Sequence, residues 1–170
     1  LIGLVGSEMC IRDRNISSKS ELTTAIASII NNVEHHAPDA RLDGILIESM
    51  INNAILELMA SLRRDPQFGL VLTIASGGVM TEILQDASTV LVPADDISLL
   101  AALDSLRIAP LFDGFRGGQA ASRTAVLDQI KGLVSLMKDT PDIVEIEINP
   151  IMVGKDYACC ADALINISCT

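Results

Sequence analysis

Tryptophan is absent from this chain, and only four aromatic residues occur: Phe68, Phe112, Phe115 and Tyr157. A packed core must therefore be aliphatic, built from Ile, Leu, Val and Ala. Basic residues are scarce as well. Twelve Lys and Arg stand against 22 Asp and Glu, a formal charge of -10. That balance repels phosphate backbones and argues against nucleic-acid binding by bulk electrostatics. A phosphate-bearing ligand would need a metal ion or a few well-placed basic residues. No run reaches the roughly 18 consecutive apolar residues of a membrane span. The opening Leu1 to Gly6 is too short for a signal-peptide core and lacks a basic flank. Cys10, Cys159, Cys160 and Cys169 form no CxxC pair, and buried free thiols in a reducing cytoplasm are expected. The only histidines are the adjacent His35 and His36, and no Ser-His-Asp or Cys-His set is discernible.

What is present is enough for one packed domain: 170 residues, 49% apolar and 20% charged. Residue 1 is Leu rather than Met, and Gly6 to Arg14 resembles a read-through tail. Residues 1–14 are accordingly set aside as a non-native head, and the fold is sought in residues 15–170 as a fragment whose upstream part is missing.

Ser18 and Glu21 form a capping-box pattern ahead of Leu22, Ala25, Ile26, Ile29, Ile30 and Val33, which share one helical face. Pro38 ends that helix, and the two histidines sit near its C-terminus, where positive charge is favoured. Leu42 to Met50, Ile55 to Leu62 and Leu70 to Ala75 read as strands. Arg63 to Gly69 forms a turn between the last two, because Pro66 and Gly69 lie within it. Gly77-Gly78 reads as another tight turn before strands at Val79 to Leu84 and Thr89 to Val92. Asp95 or Asp96 can cap a helix carrying Leu99, Leu100, Leu103 and Leu106. Pro110 to Ala121 is a loop, Ser122 starts a third helix that Pro141 stops, and strands at Ile143 to Ile148 and Tyr157 to Ile165 close the chain. Strands in runs and helices in separate blocks give an α+β fold with a largely antiparallel sheet and flanking helices.

The last hairpin carries the most chemistry. From Val144 to Asn149 apolar and polar residues alternate, so Glu145, Glu147 and Asn149 share one face and Val144, Ile146 and Ile148 the other. If the loop is Gly154 to Tyr157, Val153 pairs with Ala158, Glu147 with Leu164, and Asn149 with Asp162. Directly opposed residues have Cβ atoms about 4.5–5.5 Å apart, close enough for an amide oxygen and a carboxylate to share one hard cation such as Mg²⁺. An ordinary hairpin with a solvated acidic face explains the same alternation, and the residues alone leave both readings open. Glu48 and Glu57 flank a bend at Asn52-Asn53, where a carboxylate could meet ribose hydroxyls; a simple connecting turn explains this equally. The Gly-rich stretches around Gly77 and Gly114 match neither a Walker loop nor GxGxxG.

Taken in order, Arg41 to Glu48, Glu57-Leu58, Arg64-Asp65-Pro66-Gln67-Phe68-Gly69, Gly77-Gly78, Gly114-Phe115-Arg116-Gly117, Glu145 to Pro150 and Asp162-Ala163 resemble the C-terminal part of the ATP-grasp domain in ADP-forming acyl-CoA synthetases (acetate–CoA ligases), relatives of the succinyl-CoA synthetase β chain. The resemblance implies an ATP-grasp C-terminal subdomain and specific roles. Glu48 and Ile51 would lie at an adenine-binding hinge, and Glu57 near the ribose. Asn149 and Asp162 would hold Mg²⁺, with Glu147 as a supporting acid in the same cleft. Arg64 and Arg116 would face phosphates. The implied reaction converts ATP, a carboxylic acid and CoA into ADP, phosphate and acyl-CoA, through an acyl phosphate and a phosphohistidine carrier. That reaction calls for partners this chain does not contain: an N-terminal ATP-grasp lobe, and CoA-binding and ligase domains in the same chain or in a partner subunit. The expectation is thus a cytoplasmic ligase fragment, inactive alone and binding neither nucleic acid nor membrane. A non-catalytic ATP-grasp-like scaffold or a succinyl-CoA synthetase-type β chain are the alternatives.

Overall fold

A computed structural model describes residues 13–78 and 85–168. The chain divides between Asn52 and Asn53 into two compact units.

The first unit contributes one helix, α1 (Lys19–His36). Ser18 caps it by accepting from the Glu21 N–H at 3.2 Å. The reciprocal arm of the capping box reaches one residue further back, with the Glu21 carboxylate accepting from Ser17 N–H and Oγ. Those bonds hold the Glu21 carboxyl below its ordinary pKa. The six residues of the expected apolar face are buried or half-buried, as the 3.6-residue period requires. Beyond Pro38 the expected strand at Leu42 to Met50 does not form. A strand exists only through pairing, and no partner strand lies alongside among the described residues, so Leu42, Leu46, Ile47 and Met50 are exposed on irregular backbone.

The second unit is an antiparallel sheet with helices on one face. Its strands are β1 (Leu56–Asp65), β2 (Gly69–Ser76), β3 (Ala87–Val92), β4 (Ile143–Val153), β5 (Ala158–Cys160) and β6 (Ala163–Ile167). The spatial order is β3-β2-β1-β4-β5, and β6 also pairs with β4. The helices are α2 (Asp96–Asp104), capped by Asp95, and α3 (Arg123–Asp139), capped by Ser122. Between them, the expected loop tightens into short 3-10 turns at Ala109–Asp113 and Phe115–Gly117. The expected strand at Val79 to Leu84 lies outside the described residues.

Period-two alternation sends Leu56, Leu58, Ala60 and Leu62 of β1 and Leu72 and Ile74 of β2 into the core. They meet Leu99, Leu103, Val126, Ile130 and Met137 from the helical layer. Phe112 is the single aromatic among the described core residues, in line with the aliphatic core that the composition demands. Each fully buried Leu or Ile contributes about 1.5–3 kcal/mol of transfer free energy.

The β1–β2 ladder runs without a slip from Leu58↔Ser76 to Asp65↔Gly69. At its turn the Asp65 carboxylate accepts from the Gln67 and Phe68 N–H groups at 2.9 and 3.1 Å, which holds its carboxyl below the ordinary value of 3.8. Gly69 takes φ +77° there, a conformation that L side chains resist.

Strand β4 is different, because its register slips twice. Against β6, Ile143 pairs with Ile167 while Glu145 pairs with Asn166, so Val144 is an extra residue. The strict alternation expected from Val144 onward is therefore wrong at its first residue: Ile143 takes the buried place and Val144 is exposed. Against β1, Leu58 pairs with Ile151 but Ala60 pairs with Ile148, which places a bulge at Asn149-Pro150. That peptide bond is cis. The expected final strand is also divided, with Ala161 and Asp162 separating β5 from β6.

Candidate functional site

Helices cover one face of the sheet, and the outward residues of β1 and β4 line the other. Glu57, Met59, Ser61 and Arg63 alternate with the buried residues of β1. Across from them on β4, Glu147 pairs with Ser61 and Glu145 with Arg63. Glu145 accepts from Ser61 Oγ at 3.5 Å and from Asn166 Nδ2 at 3.0 Å, so it is tied into the sheet surface. Glu147 is half-buried on the same face.

The hairpin register matches the expectation. Val153 pairs with Ala158 and Glu147 with Leu164. At the joint, Asn149 N–H donates to the Asp162 carbonyl at 3.2 Å and Ala161 N–H donates to the Pro150 carbonyl at 3.0 Å, so Asn149 and Asp162 stand opposite each other. The bulge lets this happen without disturbing the core, because Ile148 and Ile151 on either side are both buried. The Asp162 carboxylate is exposed and accepts from the Ala163 N–H at 2.9 Å.

The double glycine, which reads from sequence as an ordinary turn, lies against this joint. Gly77 N–H donates to the Glu57 carbonyl at 2.8 Å, and Gly78 N–H donates to Asn149 Oδ1 at 3.0 Å. A Cβ on Gly77 would overlap the Leu58 backbone, and one on Gly78 would overlap the Glu57 carboxylate. Gly78 also takes φ +64°. The turn thus brings Glu57 and Asn149, carried on neighbouring strands, to one point. The available signal was two glycines directly after a buried strand end; what it could not convey was the strand they would rest upon.

Two expected residues lie elsewhere. The Arg64 guanidinium donates to the carbonyls of Met137, Thr140 (3.3 Å) and Ile143 (2.8 Å), completing the C-terminal end of α3. Its Nε and one Nη are thus engaged with the end of α3, a structural contact that sequence alone does not convey. Arg116, at φ 55°, lies over its neighbour Phe115 at 5.1 Å on the exposed loop. Glu48 and Ile51 belong to the first unit on irregular chain, Glu48 where a strand is expected; Glu48 is exposed and Ile51 half-buried.

Sequence reading also missed Asp86. It is buried, accepts from Ser76 Oγ at 2.9 Å and from the Arg107 N–H, and so joins the end of β2 to the chain after α2. The expected buried thiols are corrected too. Cys159 and Cys160 are free but exposed on the short edge strand β5, where Cys160 Sγ donates to Gln129 Oε1 of α3 at 3.4 Å; Cys10 and Cys169 lie outside the described residues.

Among the described residues, no three His, Cys, Asp or Glu side chains gather as a ready-made metal cluster. The donors at the joint are instead an amide oxygen and carboxylates, all hard oxygen ligands of the kind Mg²⁺ takes. Among the described residues, no helix is long and apolar enough to cross a membrane.

Comparison with known proteins gives a consistent picture. The family description "ATP-grasp domain" matches residues 10–167. The β subunit of ADP-forming acetate–CoA ligase I from Pyrococcus furiosus is 33% identical over 149 residues, 88% of this chain and 64% of that one. ADP-forming acetate–CoA ligase I from Archaeoglobus fulgidus is 30% identical over 135 residues, 79% of this chain and 20% of that one. The chain thus spans from a fifth to somewhat under two thirds of these relatives' lengths. A solved structure of the dinucleotide-forming acetyl-coenzyme A synthetase 1 of Ca. Korarchaeum cryptofilum, in complex with coenzyme A, Ca-AMPCP and HgCl+, superposes with a TM-score of 0.84 at 28% identity. It covers 92% of this chain and 68% of that one. Another structure of that enzyme, with coenzyme A and Mg-AMPPCP, gives a TM-score of 0.78 at 25% identity, covering 92% and 67%.

Proposed function

Because the chain belongs to the ATP-grasp domain family, we propose that it forms the nucleotide- and magnesium-binding part of an ADP-forming acyl-CoA synthetase. The reaction is ATP, a carboxylic acid and CoA giving ADP, phosphate and acyl-CoA. The observation that carries this reading is the β4–β6 joint, where Asn149 and Asp162 stand opposite each other and β4 also carries the acid Glu147. An ADP-forming acetate–CoA ligase subunit among the relatives, and the acetyl-coenzyme A synthetase structure with Mg-AMPPCP, support the same chemistry.

In this reading Asn149 and Asp162 hold Mg²⁺, and Glu57 lies towards the ribose. Bound there, Mg²⁺ neutralises negative charge on the phosphoryl group in transfer. Asn149 contributes a neutral oxygen fixed by its hydrogen bond, and Asp162 contributes the charge. Glu147, on the same strand, is the supporting acid of that cleft, a role that rests on the family resemblance. The adenine contact of Glu48 and Ile51 rests on the family resemblance alone, as does a phosphate contact by Arg116. The partners that complete the reaction are an N-terminal ATP-grasp lobe and CoA-binding and ligase domains, in the same chain or in a separate subunit.

Calorimetric titration of the full-length protein, with its N-terminal lobe, against Mg·ADP tests the reading. The native protein is expected to bind in the millimolar range or tighter, and Asp162→Ala to weaken binding about tenfold or more with the fold intact, since an exposed carboxylate carries little of the stability. Equal affinities reject the metal assignment. No heat from the native protein favours the non-catalytic scaffold.

A further inference from the structure

We propose that Gly78 is a positioning residue that sets the orientation of the Asn149 amide, an inference that rests on the nucleotide–magnesium reading above. A side-chain amide can present either an oxygen or an NH₂ group in a given direction. Here the choice is made by the Gly78 N–H, which donates at 3.0 Å and can be met only by the oxygen. The amide oxygen has two lone pairs. One accepts from Gly78, and the second stays available to a hard cation. The flipped amide would turn its donor hydrogens toward that cation and repel it.

Glycine suits position 78 best. The N–H reaches Asn149 from a left-handed backbone at φ +64°, and the volume a Cβ would fill is taken by the Glu57 carboxylate. The turn itself is held against β1. Gly77 N–H donates to the Glu57 carbonyl, and Gly77 lies so close over Leu58 that it too excludes a side chain. Orientation therefore passes from β1 through the two glycines to an amide on the neighbouring strand. The acid at position 57 and the amide at 149 are set by the same turn.

The test uses Mn²⁺ with ADP as the probe, free Mn²⁺ being followed by electron paramagnetic resonance. Four forms of the full-length protein are compared: native, Gly78→Ala, Asn149→Ala and the double variant. If Gly78 acts through Asn149, Gly78→Ala lowers Mn²⁺ affinity about tenfold in the native background and less than about twofold when Asn149 is already Ala. Equal losses in both backgrounds, or none in the native one, overturn the inference and leave the magnesium reading standing. No binding of Mn²⁺ and ADP to the native full-length protein overturns that reading and the inference with it.

A second measurement leaves the turn unaltered and needs no metal. Hydrogen exchange at the Gly78 amide is expected to quicken about tenfold in Asn149→Ala and to stay slow in Asn149→Asp, whose carboxylate still accepts the bond. An exchange rate unchanged by Asn149→Ala overturns the inference whatever the Mn²⁺ titration shows.

Discussion

The β1–β2 hairpin and strand β4 belong to the same sheet, yet they are built on opposite plans. The hairpin is an unbroken ladder closed by an Asp65-capped turn, and its inward residues alternate with no slip over the whole run. Strand β4 slips at Val144 and again at Asn149-Pro150, and opposite the second slip its partner strand is divided at Ala161-Asp162. The regular part supplies the buried surface that fixes the frame. The irregular part gathers polar side chains where the ladder is interrupted, in keeping with the tendency of bulges to re-aim side chains beside functional sites. Regular pairing and polar display are thus assigned to different stretches of one sheet.

Four variants would break or sharpen that contrast. Leu72→Ala removes a fully buried side chain from the regular part and should cost about 3–4 kcal/mol in urea denaturation. A cost near zero would mean that the hairpin is not the frame. Gly77→Ala places a methyl group against the Leu58 backbone, which cannot move aside as a side chain can; a loss of about 2–3 kcal/mol is expected by the same measurement. Arg64→Met leaves the α3 carbonyls short of their charged donor and should cost about 2 kcal/mol while leaving Mg·ADP affinity unchanged. The reverse result, a stable protein with weakened nucleotide binding, would return Arg64 to the phosphates.

The smallest effect is expected at Asp65. Its carboxyl pKa is lowered in the folded state, first by the Gln67 N–H and then by the Phe68 N–H. Stability from this source is therefore complete above the ordinary value of 3.8 and is lost as pH falls through the lower folded value. Asp65→Ala should melt slightly below the native chain at neutral pH and converge with it in strong acid. A difference that widens in acid would contradict the assigned cause.

Much of the frame was legible because local chemistry determined it. Ser18, Asp95 and Ser122 cap their helices, the apolar stripe of α1 follows helical period, and the Gly154–Tyr157 loop pins a register that carries through to Asn149 and Asp162. The bulges were not legible, since one extra residue in a strand leaves no mark on composition. Leu42 to Met50 has the composition of a strand, but composition cannot provide a partner. Arg64 shows a related limit: beside a turn, a long cationic side chain can reach outward to a ligand or inward to a helix end, and only the folded neighbourhood decides. The glycines at 77 and 78 declared a turn but not what the turn would touch.

Strand β4 is hydrogen-bonded on both sides, to β1 and to β5 and β6. Interior strands of this kind separate from their neighbours only in the rare openings that dismantle much of the domain, whereas rims and loops fray at little cost. A donor anchored there keeps its place through the ordinary breathing of the molecule. Loops around the rim could then drift in sequence over many generations while the amide at position 149 stayed where it is.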